Sequence, residues 1–125
     1  MVIETAVQTT SQEKLVEAIV AGLREKKGFD FAILDLSALK GAVADRFVIA
    51  SASSDRQAQA LADSVEEFTR KHCDEKPLRV EGYARGEWIL LDYVNVVVHI
   101  FLPRVRQFYA LEDLWADAPL QRIAQ

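Results

Sequence analysis

The sequence predicts a single α/β domain, a mixed β-sheet flanked by helices, and three observations predict it. The chain has 125 residues, half of them hydrophobic, which suits one compact core without a covalent staple. Two segments carry apolar residues at helical spacing, one from Leu15 and one from Ala58. Between and after them lie short apolar runs rich in β-branched and aromatic residues, bounded by Gly, Pro, Asn and Asp.

Residues 1–10 show no strong pattern and are expected as a flexible N-terminal arm. Thr10-Ser11-Gln12-Glu13 resembles a capping box, with Thr and Glu three apart. Leu15, Val16, Ile19, Val20 and Leu23 then follow at helical spacing, so a first helix is expected over Ser11–Lys27, closed by Gly28. Phe29–Leu36 and Arg46–Ser51 read as strands. Ala52-Ser53-Ser54-Asp55 offers several N-caps for a second helix with an apolar stripe of Ala58, Leu61, Ala62, Val65 and Phe68. It should fade near Cys73–Lys76, because Pro77 disfavours a helical residue before it.

Leu78–Glu81 is expected as a third strand, Gly82–Gly86 as a turn, and Trp88–Asp92 and Asn95–Phe101 as a hairpin. The last strand is apolar on both faces, which places it centrally. A final helix is expected over Val105–Trp115, with Phe108, Tyr109 and Trp115 in the core. The domain is expected to span residues 11–118, with 119–125 a C-terminal tail.

Composition narrows the function. The net charge of −4 argues against phosphate-led nucleic-acid binding, which shows as a basic patch. A basic protein partner is electrostatically easier, while simple solubility is the better reading of the charge taken alone. A lone Cys73 excludes an internal disulfide. No apolar run approaches the roughly 18 residues of a membrane span, and the first residues lack a secretory pattern. A cytoplasmic protein is expected.

Candidate chemistry is sparse. Ser51–Asp55 joins a strand to a helix, where backbone N–H groups can bind an anion, but it lacks phosphate-cradling glycines, so capping is the better reading. Asp35, Asp45 and Asp92 stand at strand ends and could hold magnesium. Metal-dependent nucleotidyl transfer usually needs two acids two residues apart, and no Asp-x-Asp, Asp-x-Glu or Glu-x-Glu occurs in the chain. His72 reads as a surface residue near a helix end, and His99 as a hydrogen-bonded neutral histidine in a central strand. No metal, cofactor or catalytic residue is expected, and the chain reads as a binding module.

Its most informative stretch is Gly86–Phe101. Trp88, Asp92 and Tyr93 sit at a strand start and at the hairpin turn, where side chains are easily exposed. Trp and Tyr are enriched at interface hot spots, and Glu81, Glu87 and Asp92 could meet basic groups. The competing reading places Trp88 at one end of the core.

Ala44-Asp-Arg-Phe-Val-Ile-Ala-Ser, Ser54-Asp-Arg-Gln, Glu81-Gly, Gly86-Glu-Trp-Ile-Leu-Leu-Asp-Tyr, Val96-Val-Val-His-Ile-Phe and Phe108-Tyr-Ala-Leu-Glu-Asp-Leu-Trp occur in order. The set closely resembles the ribosomal silencing factor (Iojap-like) family, over roughly Glu13–Ala118. The resemblance implies a nucleotidyltransferase-like fold without the catalytic acids. It implies binding to the large ribosomal subunit through its protein number fourteen, which blocks small-subunit joining when nutrients are scarce. It also implies a homodimer when free, and a partner-binding surface of Trp88, Asp92, Tyr93, Asn95 and Glu87. Val94-Asn95 departs from the family's usual Gly-Asp turn. Valine at positive φ would be strained, unless Asn95 takes the left-handed position instead. Two alternatives follow from the residues: a dimeric adaptor for another basic protein, and a nucleotidyltransferase-type enzyme using Ser53, Ser54 and Asp92, which the missing acid pair disfavours.

Overall fold

The computed structural model describes residues 2–124. Two helices, α1 (Val2–Glu25) and α2 (Asp55–Cys73), pack against each other and against one face of a six-stranded sheet. The strands are β1 (Phe29–Asp35), β2 (Arg46–Ser51), β3 (Arg79–Glu81), β4 (Trp88–Asp92), β5 (Val96–Phe101) and β6 (Leu120–Ile123). Two short helices, α3 (Pro103–Tyr109) and α4 (Leu111–Leu114), precede β6. The spatial order is β3-β4-β5-β2-β1-β6. The central β2–β5 pair is parallel and every other pairing is antiparallel. This is the mixed sheet flanked by helices that the sequence predicts.

Alternation along the strands builds two core layers. Phe31, Ile33, Val48, Ile89, Leu91, Val98 and Ile100 meet Leu15, Ile19, Leu23, Leu61 and Val65 of the long helices. The opposite face carries Leu34, Phe47, Ile49, Val97 and Phe101, covered by Leu36, Ala44, Leu111 and Ala118, with Trp88 and Trp115 half-buried at its margin. Every residue of β5 is buried, as expected for the central strand.

Close helix packing depends on Gly22, where a Cβ would lie 2.9 Å from the Val65 Cα. The Ser64 hydroxyl donates to the Gly22 carbonyl at 2.7 Å, so the same contact satisfies a buried polar group. Helix α2 begins as expected, with the Ser54 Oγ accepting from the Gln57 N–H at 3.1 Å. It ends at Asp74, whose left-handed conformation returns its N–H to the Arg70 carbonyl.

Three elements differ from the sequence expectation. Helix α1 begins at Val2, so the capping-box residues lie inside it; no Gly or Pro among residues 2–10 interrupts the helix upstream. Met1, the first residue of the expected arm, and Gln125, the last of the expected tail, lie outside the described residues. Within that tail, Leu120–Ile123 form β6, paired antiparallel with β1. The last helix is broken at Ala110, which adopts φ 48 and ψ 53. Phe108 and Tyr109 consequently project outward, 80% and 49% exposed, which corrects their expected place in the core.

Candidate docking surface

Alternation on β4 sorts the nominated hairpin residues between the two faces. Ile89, Leu91 and Tyr93 turn toward the long helices and are buried, while Trp88, Leu90 and Asp92 lie half-buried on the other face. Trp88 opposes Phe101 across the β4–β5 ladder, and Leu90 opposes His99.

Trp88 closes one end of the second core layer, as one sequence reading held, and remains partly exposed. Its ring stacks on Phe101, with centroids 4.9 Å apart, and leans on Tyr109 at 4.7 Å. Phe108 continues the series, 5.1 Å from Tyr109. Beneath them the indole N–H donates to Nδ1 of His99 at 3.1 Å. His99 is only 4% exposed, and burial lowers its affinity for a proton from the ordinary 6.5 to about 4. It is the hydrogen-bonded neutral histidine the sequence suggested.

The loop before Trp88 is fixed by close backbone approach. Gly86, at φ 68, lies against Asp55 at the start of α2, where a Cβ would come within 2.7 Å of the Asp55 Cβ. Glycine is the residue type that accepts both the dihedral and the contact.

Tyr93 corrects the expectation of an exposed turn aromatic. It is 6% exposed, and its hydroxyl pairs with that of Thr69 on α2 at 2.8 Å. Burial pushes its pKa up to about 12, against the Thr69 hydrogen bond, which acts to lower it. The i, i+2 pattern Ile89, Leu91, Tyr93 carried the signal that could have placed it inside.

The turn itself holds Val94 at φ 76. The Asn95 N–H donates to the Tyr93 carbonyl at 3.0 Å, a γ-turn arrangement with a positive-φ residue at its centre. Asp92 Oδ1 accepts from the Val94 N–H at 2.8 Å. Asn95 does not take the left-handed position; its carbonyl accepts from the N–H groups of Asp45 and Arg46, which ties it to β2.

The acids at the two ends of β4 and on β3 already have partners within the chain. Asp92 pairs with Arg79 at 3.2 Å, which also reaches Glu81 at 3.2 Å. Glu87 meets Arg104 at 3.3 Å and Arg85 at 3.8 Å. The displayed face is therefore charge-balanced and aromatic. Leu90, Arg79, Arg104, Phe108 and Tyr109 join it, none of them nominated from sequence; the Trp88, Leu90, Asp92 alternation was the available signal for Leu90.

The other candidate chemistries are not assembled. The Ser53 N–H and hydroxyl both donate to Gln57 Oε1, at 2.6 and 2.7 Å, so the start of α2 is internally capped. Asp35 is held by the Ser37 hydroxyl and N–H, which keep its carboxyl below the usual range, and Asp45 accepts from Gln12. Among the described residues no three His, Cys, Asp or Glu side chains group as metal ligands.

Fold and surface together define a class: a mixed-sheet α/β domain that displays an aromatic sheet face at the end of a hairpin opposite its tight turn. A family profile described as "Ribosomal silencing factor during starvation" matches residues 8–125. The ribosomal silencing factor of Bacillus subtilis is 35% identical over 113 residues, covering 88% of this chain and 92% of its own. A crystal structure from Chromobacterium violaceum superposes with a TM-score of 0.77 at 36% identity, covering 83% of this chain and 85% of that one. A mouse protein named for mitochondrial assembly of the ribosomal large subunit is 29% identical; the match covers 87% of this chain and 50% of the mouse protein. The chain belongs to the ribosomal silencing factor family. The profile extends past Ala118, the expected end of the resemblance, and takes in β6.

Proposed function

We propose that this protein represses translation under nutrient limitation by occupying the large ribosomal subunit. It binds that subunit's protein number fourteen, in the cytoplasm, and excludes the small subunit sterically, with no bond made or broken. Membership of the silencing-factor family supports this reading, as does the mouse relative's name, which ties that protein to large-subunit assembly.

The observation that carries it is the Trp88 ring, half-buried and propped by Phe101 and Tyr109 at the edge of the sheet. An aromatic held in one orientation before docking loses little conformational freedom on binding. Glu87 borders it, and Asp92 and Asn95 extend the partner-contacting surface from the other end of β4, while Tyr93 acts from inside by anchoring the turn. The exposed arginine pairs of Glu87 and Asp92 are each worth about 0–1 kcal/mol, so a basic partner can exchange for them at small cost.

Sucrose-gradient sedimentation with large subunits, small subunits and joined ribosomes tests the proposal. Co-migration with free large subunits alone is expected, together with a fall in subunit joining. Trp88→Ala should cost about 2 kcal/mol or more of binding, roughly thirtyfold in Kd. Protein remaining at the top of every gradient would overturn the proposal. The free protein is proposed to be a homodimer, and light scattering giving the monomer mass would exclude that.

A further inference from the structure

The second nitrogen of His99 frames the question. Nδ1 accepts the Trp88 indole N–H, so the proton of the neutral ring sits on Nε2, a buried atom with no hydrogen-bond partner among the described residues. A buried donor without a partner is unfavourable, and leucine or phenylalanine would fill the space without that cost. Packing alone therefore does not account for an imidazole at this position. What it supplies is an acceptor, placed beneath the one polar atom of Trp88.

Geometry makes that acceptor consequential. His99 is rigidly held: its strand is buried throughout, and its ring meets Phe47 at 4.5 Å and stacks with Phe101 at 6.0 Å, 9° from parallel. Trp88, by contrast, is half-exposed on β4 and rests on the partly exposed Tyr109. A hydrogen bond from the fixed ring to the displayed one selects one indole orientation among the rotamers open to it. It also satisfies the indole donor internally. The partner then meets the carbon surface of the ring, which suits an apolar or cationic side chain and offers no donor to a carbonyl.

We propose that His99 is a positioning residue of the docking surface, fixing the Trp88 indole through its N–H so that the ring's carbon surface receives the partner. This rests on the proposal that Trp88 docks on the large subunit, and the experiment separates the two. His99→Leu removes the acceptor while keeping an apolar core residue; His99→Asn places a carbonyl oxygen close to where Nδ1 stood. Trp88→Phe keeps a ring and removes the donor.

Binding to purified large subunits is measured for each variant alongside the indole N–H resonances. The chain has only two tryptophans, and Trp88→Phe assigns their two signals. His99→Leu is expected to shift the Trp88 N–H, speed its exchange and weaken binding by about tenfold, whereas His99→Asn restores both measures to within about threefold of the native protein. Trp88→Phe should weaken binding as much as His99→Leu does, with no further loss when the two are combined. If His99→Leu fails to fold, Trp88→Phe and His99→Asn still decide. Native-strength binding by Trp88→Phe, or by a folded His99→Leu with a fast-exchanging Trp88 N–H, would overturn the positioning role while leaving docking intact. Native-strength binding by Trp88→Ala would instead remove the docking reading itself.

Discussion

Val94 occupies backbone space that a β-branched residue fills at a cost. At φ 76 its Cβ crowds the neighbouring carbonyl, and such residues typically carry about 1–3 kcal/mol of strain. The residue is 56% exposed, so little packing offsets that cost. The hydrogen bonds from Val94 to Asp92 and from Asn95 to Tyr93 hold the conformation in place. Val94→Gly should relieve the strain and lose about 0.5–1 kcal/mol to the greater freedom of the unfolded chain. A net gain of about 1 kcal/mol in denaturant unfolding is expected. A loss of stability would mean that valine's contacts at the tip outweigh the dihedral.

At the scale of elements, what was legible followed from periodicity. Strand β4 and helix α2 each bury a face set by spacing of two or 3.6 residues, β1 and β2 are short apolar runs buried on both faces, and punctuation by Ser54 and Pro77 marked the ends of α2. The places of Trp88 and Asp92 at the ends of β4 were legible from the apolar run between them. Tyr93 was misplaced because its turn position was weighed above the alternation that carries it inward. Strand β6 left no signal: Leu120-Gln-Arg-Ile is short and largely exposed, and it becomes a strand by pairing with the edge of β1. Nor did sequence reveal the break at Ala110, where tertiary contacts override helix propensity.

Arg106 is central to those contacts. Its side chain is 11% exposed, and the guanidinium donates to the Asp30 carbonyl at 2.6 Å, to the Ser51 hydroxyl at 2.8 Å and to Glu112 of α4 at 2.8 Å. Those bonds join α3 to α4, to the β1 bulge and to the end of β2. They also hold the Glu112 carboxyl below its usual range. Arg106→Ala should cost about 2–3 kcal/mol, less than a fully buried pair because Arg122 still reaches Glu112 at 3.4 Å. Arg106→Lys should recover little of it, since an ammonium cannot fork across three acceptors. Thermal or denaturant unfolding checks both. Recovery by lysine would reduce the site to simple charge neutralisation.

Across the whole molecule, two buried titratable groups on opposite faces of the sheet set the pH limits of the fold. On the helix face Tyr93 is bonded to Thr69; on the displayed face His99 is bonded to Trp88. His99 has its folded pKa depressed to about 4 from 6.5, so it must charge on unfolding in acid. Its contribution is complete above pH 6.5 and is lost as pH falls toward 4, amounting to up to about 3 kcal/mol. Tyr93 has its folded pKa raised to about 12 from 10, so its contribution is complete below pH 10 and is lost as pH rises through 12, again by up to about 3 kcal/mol. Asp35 and Glu112, both held below the ordinary carboxylate range, add to the acid limb only as pH falls below their ordinary values of 3.8 and 4.5 toward the depressed ones. Glu66, raised by burial and by Asp63, works in the opposite sense and gains stability on acidification. Unfolding free energy measured between pH 4 and 12 should therefore show a plateau that declines at both ends. His99→Leu should flatten the decline between pH 6.5 and 4, and Tyr93→Phe the decline above pH 10, each leaving the other limb unchanged because the two groups lie in separate core layers. A decline between pH 6.5 and 4 that persists unchanged in a folded His99→Leu variant would overturn this assignment, because Asp35 and Glu112 act only at lower pH. It would also show that the imidazole beneath Trp88 is not the group that must charge when the displayed face comes apart.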